Sequence, residues 1–138
     1  MYKDKNFFFR INSDINIGLG HLARCVILAK FLKNNSYFIV DKKKNKFFKN
    51  LNLNFISLYE NNKYDNELTD ALLVNKIIKK YNNAMLIVDD YRLGDKWHKY
   101  FKKRNIKIIV IDDLLNKKFD PDVYINFKLD TSNEFKSK

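Results

Sequence analysis

Met85-Leu86-Ile87-Val88-Asp89-Asp90-Tyr91-Arg92-Leu93-Gly94-Asp95 sets four consecutive apolar residues directly before two acids, a phenol and a glycine. An unbroken apolar run of this length reads as a strand covered on both faces. The flanks read as helices. Upstream, Asn66 to Tyr81 carries Leu68, Ala71, Leu72, Val74, Ile77 and Ile78 at helical spacing. Downstream, Asp95 to Arg104 offers Trp97, Tyr100 and Phe101 to a core. A buried strand between two helices is the signature of a βαβ unit and a parallel sheet.

The alternation extends to both ends of the chain. Phe7-Phe8-Phe9-Arg10-Ile11 reads as a first strand, and Tyr37-Phe38-Ile39-Val40 as a second. Between them, His21 to Leu32 places Leu22, Cys25, Val26, Leu28, Ala29 and Leu32 on an amphipathic helix. Asn45 to Asn50 reads as a short helix with Phe47 and Phe48 inward, and Asn54 to Leu58 as a third strand. Ile106 to Ile111 is a fifth and Val123-Tyr124-Ile125 a sixth. Right-handed crossovers then give an α/β, Rossmann-like doubly wound parallel sheet. The expected domain is 1–127, followed by a polar tail, 128–138.

Composition bounds the function. A chain of 138 residues is one domain. Its 46% hydrophobic and 15% aromatic content argues against disorder. One cysteine excludes a disulfide framework and a Cys-based zinc site, and points to a reducing compartment. No apolar run approaches the roughly 18–20 residues needed to span a membrane, and the first residues lack a signal-peptide pattern. A cytoplasmic location without membrane partners is the expectation. The net charge of +11 invites a polyanion partner. Only Arg10, Arg24, Arg92 and Arg104 among the 27 basic residues are arginine, however. Base readout favours arginine forks, so this charge reads as lysine-rich composition and a nucleic-acid module is the weaker reading.

Ligands of such folds bind beyond the carboxyl ends of the strands. Asn12 to Arg24 follows the first strand and holds Gly18 and Gly20, two of only three glycines. Glycine lets backbone approach a ligand closely, and the following helix N-terminus offers free N–H groups to an anion. His21 stands there, where a neutral imidazole is poised as a general base. Arg24, one turn on, is placed to help an anionic group. Gly18-x-Gly20-x-x-Ala23 also satisfies a dinucleotide fingerprint, with Asp41 near the expected ribose acid. That fingerprint opens directly after its strand, whereas Asn12 to Ile17 intervene here, which leaves NAD(P) binding a minor alternative. Asp89-Asp90-Tyr91 and Asp112-Asp113 follow strands four and five. Asp112 or Asp113 is placed to orient a ligand hydroxyl or His21; turn capping is the alternative for each of these acids. No metal and no cofactor is expected. Cys25 reads as a small core residue, His98 as solvated, and Asp41 to Lys46 as a solvated helix start.

Ile17-Gly18-Leu19-Gly20-His21-Leu22-Ala23-Arg24-Cys25, preceded by a strand arginine at Arg10, resembles the opening pattern of PseG-type UDP-sugar hydrolases of pseudaminic acid biosynthesis. The family's D-x-Y stands as Asp89-Asp90-Tyr91 and its I-D-D as Ile111-Asp112-Asp113, with Asp122 before the sixth strand. Asn12 and Asp14 depart from the usual pattern. The resemblance implies the N-terminal half of a two-domain, GT-B-like enzyme. It implies metal-independent hydrolysis of a UDP-linked 2,4-diacetamido-2,4,6-trideoxyhexose, with His21 as base. Gly18, Gly20, Arg24, Asp89, Tyr91 and Asp113 are the implied substrate contacts, and a second domain supplies most UDP contacts. A non-catalytic, partner-binding domain is the alternative.

Overall fold

A computed structural model describes residues 4–12, 19–42, 51–113 and 120–127. Its elements run β1 (Asn6–Ile11), α1 (Gly20–Leu32), β2 (Asn35–Val40), β3 (Asn54–Ser57), α2 (Glu67–Ile78), β4 (Ala84–Asp89), α3 (Asp95–Lys102), β5 (Lys107–Ile111) and β6 (Val123–Ile125). The helix expected at 45–50, Gly18 and the tail from 128 onward lie outside the described residues.

The six strands form one sheet in the order β3-β2-β1-β4-β5-β6. Every neighbouring pair is parallel. The expected Rossmann-like, doubly wound α/β fold is therefore present. Two apolar layers cover the sheet. Phe7, Phe9 and Ile11 of β1 join Leu22, Cys25 and Ala29 of α1 on one face. Phe8 of β1 joins Ala71, Val74 and Ile78 of α2 and Trp97 and Phe101 of α3 on the other. Successive strand residues alternate faces, so from Phe7 to Ile11 β1 is apolar at every position but one.

The exception is Arg10, fully buried on the α2 and α3 face. Its guanidinium donates through Nε to Asp70 Oδ1 at 3.1 Å and through Nη2 to Asp70 Oδ2 at 2.7 Å. Nη2 also reaches Asp41 Oδ1 at 2.8 Å, and Nη1 reaches the Ile11 carbonyl at 3.1 Å. Asp70 is buried as well, and it accepts from Tyr59 Oη at 2.8 Å and Trp97 Nε1 at 2.9 Å. The burial of both charges is costly, but each is saturated with partners. Asp70 sits in the first turn of α2, which Asn66 caps by accepting from the Thr69 amide at 2.9 Å.

His98 departs from expectation. It is buried, with its ring tilted at 63° to that of Trp97. In the short α3 the inward stripe spans Trp97, His98 and Phe101, while Lys96, Lys99 and Lys102 face out. The stripe is wide enough to take the residue next to Trp97. Among the described residues, no helix is long and apolar enough to cross a membrane.

Truncating one partner of a buried ion pair strands the other. Arg10→Met should therefore lower the unfolding free energy by about 3–5 kcal/mol. Ile78→Val, a methyl deletion in the same layer, should cost about 0.5–1.5 kcal/mol. Urea denaturation of the two variants checks the difference, and equal costs would remove the pair from the stability account.

Candidate functional site at the strand carboxyl ends

The chain runs outward from β1 in one direction and outward from β4 in the other. These two strands are neighbours, so the sheet has its switch point between their carboxyl ends. Ile11 lies opposite Asp89 there.

Side-chain parity sorts the acids that gather at this edge. Ile87 and Ile111 belong to the α1 layer, so Asp89 and Asp113, two residues further on, share its side. Val88 and Val110 belong to the opposite layer, as does Ile39. Asp90, Asp112 and Asp41 follow them. Each acid doublet is thus split across the sheet, and its two carboxylates cannot converge on one ion. Among the described residues, no group of three metal-ligating side chains forms.

On the α1 side, His21 Nδ1 lies 2.6 Å from Asp89 Oδ1. Arg24 grips the same carboxylate with its fork, Nη2 to Oδ1 at 2.5 Å and Nε to Oδ2 at 2.5 Å. The Cys25 thiol donates to Oδ2 at 3.6 Å. His21, Arg24 and Cys25 stand at positions i, i+3 and i+4 of α1, which share one helix face. Burial alone would push the Asp89 carboxyl up. Hydrogen bonds from Arg24 and then His21 outweigh it and hold Asp89 below the usual carboxylate range. Burial, reinforced by the Asp89 charge, pushes the Cys25 thiol up, so it stays a protonated donor.

An ionised Asp89 fixes the tautomer, because it can only accept from Nδ1–H. In a neutral ring so held, the lone pair is on Nε2, which no described residue hydrogen-bonds. The Tyr91 ring meets the imidazole edge-on, 5.0 Å between centroids at 76°. Asp112 and Asp113 were the acids expected to orient His21, alongside a direct ligand role. Asp89 does it instead, because β4 extends one residue beyond its apolar run and carries Asp89 in strand geometry.

Arg24, expected beside an anionic group, is instead committed within the protein. Its Nη1 donates to Asp113 Oδ2 at 2.5 Å. Asp113 Oδ1 accepts from the Phe127 amide at 3.0 Å. Asp113 therefore braces α1 against the end of β6. Gly20 opens α1, which has no side-chain cap and no acid in its first turn. A Cβ at Gly20 would meet nothing within 4 Å. Asp122 lies at the far edge, where it accepts from the Ile108 amide at 2.9 Å.

On the other face, Arg92 donates to both oxygens of Asp41, at 2.8 and 2.9 Å. It also grips Asp90 through Nε at 3.0 Å and Nη2 at 2.7 Å. Asp41, read as a solvated residue or a ribose acid, has its oxygens occupied by Arg10 and Arg92. Burial would raise its carboxyl too, but the bonds from Arg92 and the charge of Arg10 lower it. Sequence reasoning did not single out Asp70; an acid flanked by the inward positions Ala71 and Val74 was its only signal.

Comparison with protein-family models, with curated proteins and with solved structures gives no match.

Carboxyls held below their unfolded values stabilise the fold above those values, near pH 4, and cease to do so as pH falls through the folded ones. The melting temperature should therefore drop as pH falls below about 4. Asp41→Asn should show a lower melting temperature at neutral pH and a shallower acid drop. Parallel curves in a thermal scan from about pH 6 to pH 2 would contradict the assignment.

Proposed function

We propose that this chain is the base-bearing domain of a hydrolase acting on a UDP-linked 2,4-diacetamido-2,4,6-trideoxyhexose. The observation that carries the reading is the His21–Asp89 pair at the switch point, with Nε2 left as acceptor. The motifs Ile17 to Cys25, Asp89 to Tyr91 and Ile111 to Asp113 support the same family resemblance.

In this mechanism Nε2 removes a proton from water as the water oxygen attacks the anomeric carbon. The bond from that carbon to the β-phosphate oxygen breaks, and UDP leaves with the electron pair. The sugar departs with the new hydroxyl. Asp89 keeps the imidazole in the right tautomer and steadies the imidazolium that forms. Gly20 leaves open space over the helix N-terminus for the sugar, and Tyr91 borders it. Arg24 is already neutralised by two carboxylates, so the diphosphate needs cations from elsewhere. A second domain, as the resemblance implies, would bring them. No step requires a metal ion.

A partner-binding role without catalysis is the second reading. It draws on Ile27 and Phe31 of α1, which stand exposed one turn apart, Phe31 to 79%. The nucleic-acid reading loses ground, since Arg10, Arg24 and Arg92 are all bound to carboxylates.

Titration of the UDP-sugar into protein labelled at histidine tests the proposal. The His21 ring signals should shift at millimolar ligand, and UDP release should be catalysed where the second domain is supplied. His21→Gln retains a donor for Asp89 and should lower the rate by about 10²–10⁴. Gly20→Ala should leave the melting temperature unchanged or slightly higher, yet weaken ligand binding. An unmoved His21 signal together with no UDP release would refute the hydrolase.

A further inference from the structure

We propose that the outer face of α1 is a two-fold contact between copies of this chain, in which Phe31 of each copy seats on Ala23 of the other and Ile27 meets its own equivalent. A helix on a sheet buries one stripe and ordinarily shows charge to water on the other. Helix α3 does so: its exposed positions are Asp95, Lys96, Lys99 and Lys102. On α2 the exposed Leu68 and Leu72 run on into the exposed Lys76. On α1 the exposed row at spacing four is Ala23, Ile27 and Phe31, with no charge in it. Ile27 is 57% exposed and Phe31 79%. Val26 and Leu28 flank the row half-buried. Arg24 is turned in to Asp89 and Asp113, which leaves Lys30 as the charge at the rim. In a chain with 27 basic residues, an uncharged row of this length on an outer helix face marks a contact.

The order of side-chain sizes selects the occupant. Along the row they grow from a methyl at Ala23 through a branched butyl at Ile27 to a benzyl at Phe31, each about one turn from the last. A two-fold interface sets residue i of one copy against j of the other, and j against i. When two such helices lie antiparallel with Ile27 at the axis, position 31 falls opposite position 23 at both ends. Large then meets small twice, and the layer between the helices is even, as ridges-into-grooves packing at about 8–10 Å requires. Parallel alignment would instead set Phe31 against Phe31 and leave a gap between the two alanines.

The size of the contact limits its strength. Helix α1 has 13 residues, or about 20 Å of helix. A pair of that length buries less than the roughly 1,200 Å² of a standard interface. Two chains of net charge +11 also repel each other. Association is therefore weak and reversible. It strengthens with ionic strength, because salt screens the repulsion while the apolar row holds no ion pair to lose. Neither Nε2 of His21 nor Tyr91 takes part, so this contact stands apart from the hydrolase reading.

Analytical sedimentation of the full chain from about 10 μM to about 1 mM tests this without any substrate. The wild type should pass from monomer to dimer across that range, and the dimer fraction should rise between about 0.05 and 0.5 M salt. Phe31→Lys and Ile27→Lys should each lower the association constant about tenfold or more. Ala23→Phe, which fills the seat, should also lower it. Ala23→Phe combined with Phe31→Ala exchanges large and small at both ends and should restore the dimer. Leu72→Lys, a like change on α2, should leave association unmoved. Thermal melts check that the variants are folded, as expected for substitutions at exposed positions. A monomer at about 1 mM in high salt would overturn the proposal. Association that runs past the dimer, or that weakens with salt as for a partner held by charge, would also overturn it. So would an exchanged pair that fails to restore the dimer, or an equal loss in Leu72→Lys, which would show general stickiness.

Discussion

Neighbouring residues of a strand must leave it on opposite faces, and the chemistry-bearing edge of this domain is arranged by that constraint. Asp89 and Asp90 are adjacent in sequence but take part in separate charge groups with a sheet between them. Asp112 and Asp113 divide in the same way, and Asp113 alone meets Arg24. One group holds an imidazole with a defined tautomer. The other holds strand ends together. Both depend on β1 and β4 being neighbours, since Ile11 and Asp89 share a register and Arg10 lies opposite Val88.

Electrostatics follow from that division. The chain carries a net charge of +11, yet the strand ends gather more carboxylates than cations. Among the described residues, the arginines they hold are Arg10, Arg24 and Arg92. A guanidinium is weakly hydrated and offers paired donors, so it suits a buried position between carboxylates. Lysine, a compact and strongly hydrated charge, stays outside. Among the described residues no lysine is buried, while the acids of the strand ends gather around buried or half-buried arginines. A diphosphate would not be drawn to this edge by Arg24, whose charge is balanced by Asp89 and Asp113.

The strands were legible because parallel strands covered on both faces read as apolar runs, and five of them do so here. Helix α1 was legible from the spacing of Leu22, Cys25 and Ala29. The site was legible in composition but not in pairing. A glycine-rich turn before His21 and acids after two apolar runs pointed to the sheet edge where His21 and Asp89 meet. Which acid meets His21 depended on β4 continuing through Asp89, and an apolar run does not announce that its strand includes the next charged residue. Parity could have resolved it, since Asp89 follows Ile87 by two. Asp70 was hidden for another reason. Its partners Arg10, Tyr59 and Trp97 come from three separate segments, and an acid in the first turn of a helix ordinarily reads as a solvated cap. His98 was misread because a lysine-rich helix suggests exposure, whereas a short helix against a flat sheet buries a broad stripe.

The two charge groups differ in what they leave available. Asp41, Asp70 and Asp90 accept from arginines, and Asp70 also from Tyr59 and Trp97, so those three carboxylates are engaged within the fold. On the α1 face the carboxylate of Asp89 is equally engaged, but among the described residues the imidazole it holds bonds through one nitrogen only. His21 bonds through Nδ1 and presents Nε2 at the switch point, beside a helix N-terminus with no side-chain cap and a glycine with open space above it. A fold that needed His21 only for packing would gain nothing from fixing its tautomer with the same acid that grips Arg24 and Cys25. Among the described residues, one charge group ties strand ends together, while the other holds an imidazole whose Nε2 has no hydrogen-bond partner.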